Sequence, residues 1–269
     1  MKRYGTIEKN LGETPLEALH RFRARESIAQ DVPLAYAGRL DPMASGMLLV
    51  LIGDECKRQE RYHALDKAYE FKILFGVGAD TADVLGIIKH QEPVTIDREE
   101  LRTALRSLVG EITLPYPHFS SKTVQGKPLL VWTLEGRLHE IEIPVKTSRL
   151  HSLTCTEVLS VTGAEIYEEI SRNIETVTIV TAKSKALGKD FRRDDVRASW
   201  RAFLDAHAKD IFSLATCTCI CSSGTYMRTL AEEIAGRLNV HGLAFSIKRT
   251  RIGRYRHIGI LGIWSKTFR

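Results

Sequence analysis

The chain has 269 residues, 43% hydrophobic and 27% charged, enough apolar content to build the core of one large domain or two small ones. Its 39 Lys and Arg against 33 Asp and Glu leave a formal charge of +6, which admits an anionic partner without demanding one. No stretch approaches the roughly 20 apolar residues of a membrane span, and the opening MKRYGTIEKN has no apolar core of signal-peptide length, so a cytoplasmic protein is expected.

In chain order, Thr14-Pro15-Leu16-Glu17 is a capping-box signature with proline at the first helical position, predicting a helix that carries Leu16, Leu19 and Phe22. AYAGRLDPMASGMLLVLIG at 35–53 then places Asp41 in a turn with Gly38, Pro42 and Gly46, immediately before an apolar run predicted as a strand over 46–53. Two readings of Asp41 stay open: a loop aspartate capping its own turn, which is the commoner case, or a carboxylate displayed for chemistry. KAYEFKILF at 67–75 predicts a strand with Tyr69, Phe71, Ile73 and Phe75 on one face, so Tyr69 is either a core tyrosine or one at the edge of a cleft. Asp97 and Glu100 open a second helix that carries Leu101, Leu105 and Leu108 and stops near Gly110.

Further strands are predicted over 139–145, 176–182 and 214–221, with a helix near 193–208. In the last strand Cys217, Cys219 and Cys221 alternate onto one face, where a straight strand spaces the sulfurs too widely to wrap one ion; buried, reduced thiols without metal are expected. CSSGTYMRTL passes through Gly224 into a helix over about 226–238 with Leu230, Ile234 and Leu238 on one face. Tyr226 and Arg228 fall in or beside its first turn, and Arg228 reads either as the partner of a buried carboxylate or as a surface arginine. The element order is α+β, without repeats or low-complexity tracts.

Five segments, GRLDPMASGMLLVLIG at 38–53, KAY at 67–69 with FGVGADTADVLG at 75–86, YPHFSSKTVQGKPL at 116–129, CSSGTYMRTLAEEI at 221–234 and IKRTRIG at 247–253, resemble in the same order those of the TruB-type tRNA pseudouridine synthases. The resemblance covers most of the chain. It implies the pseudouridine synthase fold, a mixed, largely antiparallel sheet with flanking helices and a central catalytic cleft, as a single catalytic domain over 1–269. It also implies isomerisation of a uridine in the T loop of tRNA. Residue by residue, Asp41 matches the catalytic aspartate, Tyr69 the tyrosine that stacks on the target base and is implicated in proton transfer, and Arg228 the arginine that salt-bridges the aspartate. Tyr226 and Ile247 match positions lining the uracil pocket, and Lys67 a lysine next to the tyrosine.

The family's contacts to the T arm point to Lys122 and to the group from Lys248 through Arg249 to Arg251 as phosphate-binding cations. The reaction breaks the N1–C1′ bond, turns the uracil and rejoins it through C5 without change of redox state, so neither cofactor nor metal is expected. The partner implied is tRNA through its T arm, bound by a monomer that flips the target nucleotide out of its stack.

The chain also departs from the family pattern. Lys9-Asn10-Leu11-Gly12-Glu13-Thr14-Pro15 replaces the usual Lys-Pro-x-Gly-x-Thr-Ser, and Tyr36 stands where these enzymes usually have a histidine, so base flipping or T-loop contact there is expected to differ. Arg39-Leu40-Asp41 is similar also to the RluA and RsuA branches of the superfamily. The short stretch after Tyr255 leaves no room for the C-terminal PUA domain of many relatives, whose absence is expected. About 160–210 is longer than the pattern needs and carries Lys183, Lys185, Lys189, Arg192, Arg193, Arg197 and Arg201, either as an RNA-binding surface or as a helix solvated on its charged face. The alternatives to the enzyme are a TruB-like RNA chaperone without turnover and a pseudouridine synthase acting on another RNA.

Overall fold

The computed structural model describes residues 2–177, 192–258 and 261–268. The elements in chain order are β1 (Tyr4–Lys9), α1 (Pro15–Arg25), β2 (Leu34–Ala37), β3 (Ala44–Ile52), α2 (Gln59–His63), β4 (Asp66–Phe75), β5 (Val77–Ala79), β6 (Ile88–Gln91), α3 (Arg98–Leu108) and β7 (Gly110–Pro115). They continue with β8 (Thr123–Val124), β9 (Lys127–Pro128), α4 (Leu129–Leu134), β10 (Val145–Thr162), α5 (Gly163–Thr176), α6 (Arg193–His207), β11 (Ile211–Cys221), α7 (Met227–Arg237), β12 (Gly242–Ile258) and β13 (Leu261–Phe268). Among the described residues, nine strands form one sheet in the order β1-β3-β12-β4-β11-β10-β7, with β13 added to β12 and β2 to β3. All its pairings are antiparallel except β12 with β3, giving the mixed, largely antiparallel α+β fold that the sequence implies.

Local chemistry accounts for the elements that were legible. The Thr14 hydroxyl accepts the Glu17 N–H at 3.2 Å while the Glu17 carboxylate accepts the Thr14 N–H at 2.7 Å, so each side chain satisfies a donor that the first turn of α1 leaves free. Ala18, Leu19 and Phe22 form the buried face, whereas Leu16 remains 43% exposed. Asp97 caps α3 by accepting the N–H groups of Glu99 and Glu100. The apolar run in β3 is buried on both sides: Leu48, Val50 and Ile52 pack with α1, while Leu49 and Leu51 pack with Leu65 and Ile252 on the other face.

One predicted strand is corrected, and a second falls largely outside the described residues. Within 139–145, residues Leu138–Glu140 form a 3-10 turn, held by two hydrogen bonds from Arg137 to Glu140 at 2.7 Å, and the strand β10 begins only at Val145. At 176–182, helix α5 still runs through Thr176, and residues 178–182 lie outside the described residues. The predicted helix near 193–208 is α6, and with α5 it belongs to the main core through Ile166, Ile170, Ile174, Val196, Trp200 and Phe203. Its outer cations meet other groups of the chain: Arg197 pairs with Glu175 at 2.8 Å and Asp194 at 3.1 Å, and Arg201 stands over the Tyr167 ring at 5.5 Å. Lys183, Lys185 and Lys189 lie outside the described residues. No helix among the described residues is long and apolar enough to cross a membrane.

Candidate active site

The sheet register brings distant residues together. Parallel pairing of β12 with β3 sets Ile247 opposite Ala44 and Arg249 opposite Gly46, and antiparallel pairing of β12 with β4 sets Arg249 opposite Tyr69. The loop carrying Asp41 enters β3 at this junction. Gly46 has φ +102, and a Cβ there would lie 2.3 Å from the Arg249 carbonyl oxygen, so only glycine lets the two strands meet. The Ala44 N–H closes the turn by donating to the Asp41 carbonyl at 2.9 Å.

A cavity of about 540 Å³ opens at this point, lined by Tyr36, Asp41, Lys67, Tyr69, Tyr226, Arg228, Ile247 and Arg249 among others. The Arg228 side chain is only 5% exposed, and its Nε stands 2.9 Å from Asp41 Oδ2 and 3.6 Å from Asp83 Oδ2. The first contact is an ion pair rather than an aligned hydrogen bond. The other guanidinium nitrogens donate to the Thr81 carbonyl at 2.9 Å and the Phe119 carbonyl at 3.2 Å, so two backbone groups fix the fork. Burial opposes its charge, but Asp41 and Asp83 outweigh that and hold the guanidinium above its ordinary value. The Asp41 side chain is 42% exposed and faces the cavity from the end of this network.

Asp83 is the buried counterpart. It accepts the Thr81 hydroxyl at 2.6 Å and the Leu85 N–H at 3.0 Å, yet burial raises its carboxyl above the ordinary carboxylate range against the pull of Arg228. Tyr69, opposite Arg249, is pushed up to about 12 by burial, with Arg249 opposing, so its phenol stays protonated at neutral pH. Tyr226 is the N-cap residue of α7, its hydroxyl also raised by burial, and its ring lies 5.4 Å from that of Tyr116.

Lys67 donates to the His63 carbonyl at 2.8 Å and to the Leu65 carbonyl. Burial first and Arg249 second push its ammonium down from 10.5 to about 8. A depressed folded-state value contributes stability above the unfolded value that is lost as pH falls through the folded one. Urea unfolding should therefore show stability falling from about pH 10.5 to pH 8. Lys67→Met should remove on the order of 3 kcal/mol of that pH-dependent change; an unchanged pH dependence would contradict the burial of this cation.

The cations read as phosphate contacts divide. Arg249 is 1% exposed and is corrected from a surface cation to a clamp: Nε donates to the Met47 carbonyl at 2.7 Å and the terminal nitrogens donate to the Arg39 and Gly38 carbonyls at 3.2 Å. Strand alternation sends Lys248 to the opposite face, where it approaches Glu8 at 3.7 Å and lines a separate cavity of about 230 Å³. Lys122 does not line the Asp41 cavity; its Nζ lies 5.1 Å from the centroid of the Tyr116 ring, which in turn meets the cavity-lining Tyr226. From the cavity lining, Arg39 reaches the Ser121 hydroxyl at 3.1 Å.

Lys9 and Asp83 were not singled out from the sequence, although each lies in a segment quoted from it. Lys9 is fully buried and donates to the Ala44 carbonyl at 2.6 Å and the Asn10 carbonyl at 3.0 Å, while the Gly12 N–H reaches the Pro42 carbonyl at 2.9 Å. The altered N-terminal motif thus braces the turn that carries Asp41 on its C-terminal side, at Pro42 and Ala44. Cys217, Cys219 and Cys221 are buried, and among the described residues no group of three or more His, Cys, Asp or Glu is placed to hold a metal ion.

Residues 27–177, more than half of the chain, match the TruB family pseudouridylate synthase N-terminal domain. A tRNA pseudouridine synthase B from Caldicellulosiruptor saccharolyticus is 27% identical over 82% of this chain and 58% of its own length. One from Aromatoleum aromaticum is 27% identical over 93% of this chain and 62% of its own length. The chain therefore spans about three fifths of the curated relatives it matches. In the crystal structure of a Cbf5-Nop10-Gar1 complex, one chain shares the fold with a TM-score of 0.52 and 13% identity, over 93% of this chain and 49% of that one.

Proposed function

The chain belongs to the TruB family of pseudouridylate synthases, and from that membership we propose that it isomerises a uridine in the T loop of tRNA to pseudouridine, with Asp41 as the reacting carboxylate. The observation that carries this reading is the pairing of a cavity-facing Asp41 with the buried Arg228 at 2.9 Å, with Tyr69 lining the same cavity. Binding RNA alone gives no reason to hold a carboxylate and a guanidinium in that geometry, because a carboxylate repels phosphate.

Each residue type has a use in the reaction. The Asp41 carboxylate can attack C1′ of the ribose as N1 leaves, remove the 2′ proton to form a glycal, or add to C6 of the uracil. In each case Arg228 and the two carbonyls behind it hold the carboxylate in place. The detached uracil must be retained while it turns, and stacking on Tyr69 does so without fixing one edge of the ring. Rejoining through C5 leaves a proton there to be removed, and Tyr69 and a positioned water are the two candidates for taking it. Tyr226 and Ile247 complete the apolar wall of the pocket.

A T-loop uridine reaches this cavity only by leaving its stack, so the nucleotide is flipped. Tyr36 and Arg39 line the cavity, and Lys122 lies over Tyr116 beside the cavity-lining Tyr226; these are the side chains proposed to meet the displaced strand and its phosphates. The test is pseudouridine mapping on an unmodified tRNA transcript, an isolated T-arm hairpin, and a transcript whose T-loop uridine is replaced by cytidine. Conversion of the T-loop uridine in the first two and none in the third is expected. Conversion elsewhere would retain the chemistry and move the substrate. Tight binding without conversion would favour an RNA-folding protein.

A further inference from the structure

The carbonyls that hold Arg228 belong to two segments, one containing Thr81 and the other Phe119, and a single side chain reaches both. Arg192 makes a two-pronged contact with Asp80, at 2.6 Å to Oδ2 and 3.2 Å to Oδ1. The same guanidinium lies over the Phe119 ring, 4.4 Å from its centroid. Asp80 immediately precedes Thr81, and Phe119 itself supplies the second carbonyl acceptor of the network, accepting from Arg228 at 3.2 Å. Arg192 thus stands directly behind the frame that orients the partner of Asp41.

Several features mark this contact as built. Both side chains of the Arg192–Asp80 pair are largely buried, at 18% and 17% exposure, where a forked ion pair is less screened than at the surface. Arg192 has φ +56, a left-handed conformation that a residue with a side chain adopts rarely, and it falls at the N-cap of α6. Helix α6 continues along the same segment: Trp200 donates its indole N–H to the Val84 carbonyl at 3.0 Å, and the Ser199 hydroxyl accepts the Ile88 N–H at 2.9 Å. One helix therefore fixes residues 80, 84 and 88, the stretch that also contains Thr81 and Asp83.

We infer that Arg192 is a positioning residue for the reaction, holding the Thr81 and Phe119 segments so that Arg228 is aimed at Asp41. The inference rests on the reading of Asp41 and Arg228 given above. It assigns to α6, which follows the family-matched span 27–177, a part in setting the active-site geometry. The general physical reason is that catalysis is sensitive to displacements on the scale of an ångström, even when the displaced group is held from behind.

The experiment compares the unmutated chain with Arg192→Gln, Arg192→Lys, Asp80→Asn and the Arg192→Gln/Asp80→Asn double variant. Single-turnover rate at saturating tRNA transcript, Kd by filter binding and thermal unfolding are measured for each. Arg192→Gln and Asp80→Asn should each lower the rate roughly tenfold or more, with Kd within about twofold, because both side chains are largely buried and engaged with each other. Arg192→Lys should recover part of the rate by restoring the charge without the fork. The double variant should be no slower than the slower single, since one contact is removed twice. A raised Kd with an unchanged rate would make Arg192 a phosphate contact and overturn the inference. An unchanged rate and Kd, or a rate loss that tracks a lost folded fraction, would overturn it as well. If the unmutated chain converts no uridine, the catalytic reading itself fails and this inference falls with it.

Discussion

Asp41→Asn should all but abolish pseudouridine formation while leaving tRNA binding close to intact: a fall of roughly a thousandfold or more in single-turnover rate, with less than about a threefold change in Kd. Asparagine keeps the shape of the side chain and removes its nucleophilic and basic character. Arg228 keeps Asp83 at 3.6 Å and the Thr81 and Phe119 carbonyls, so the cavity wall should hold its form. The Asp41 side chain is 42% exposed, and its replacement costs little packing. Comparable losses of binding and rate would mean that Asp41 builds the RNA site rather than acting in the chemistry.

Arg228→Met should be the more damaging change, because it removes turnover and destabilises the fold together. Asp41 loses its partner, and Asp83, only 4% exposed, is left without its cation. Breaking a buried pair on one side costs about 3–5 kcal/mol. The loss should depend on pH with a definite sign. Burial already holds the Asp83 carboxyl above its ordinary value, and Arg228 opposes that rise. A carboxyl whose folded value lies above its unfolded one contributes stability that is full below the unfolded value and is lost as pH rises through the folded value. Removing Arg228 lifts the folded value further, so the stability gap between variant and unmutated chain should be wider at pH 8 than at pH 5 in urea unfolding. A gap independent of pH would show that Asp83 does not depend on Arg228 for its charge.

Features decided over a few residues were legible in the sequence. The capping box at Thr14 and Glu17, the N-cap at Asp97, and the apolar run behind Asp41 are local patterns, and each forms the predicted element. Several residues singled out from the sequence, Asp41, Tyr69, Tyr226, Arg228, Ile247, Lys67 and Tyr36, line one cavity, although their roles in the reaction are proposals. Strands β10 and β12 were not legible as strands. β10 carries polar side chains and a solvent-facing side for much of its length, and β12 carries a run of arginines that reads as a charged loop. Had β12 been read with period two, Lys248 would have been separated at once from Ile247 and Arg249.

The remainder depends on pairings between segments far apart in the chain. Nothing local announces that β12 lies parallel to β3, or that Lys9 reaches the Ala44 carbonyl. Asp83 looks like one more acidic residue of the 75–86 segment until the fold buries it beside Arg228. Arg249 illustrates the same limit from the other side: its charge suggests phosphate, whereas its surroundings bury it and supply three carbonyl acceptors.

The central claim, that Asp41 held by Arg228 isomerises uridine, is tested most directly by tritium release. A tRNA transcript carrying tritium at C5 of its uridines loses that label to water only when the uracil is rejoined through C5. The unmutated chain should release label up to one equivalent per tRNA, and Asp41→Asn should release none above background at equal RNA occupancy. Release by Asp41→Asn at the unmutated rate, or none from the unmutated chain with its tRNA fully bound, would contradict the account.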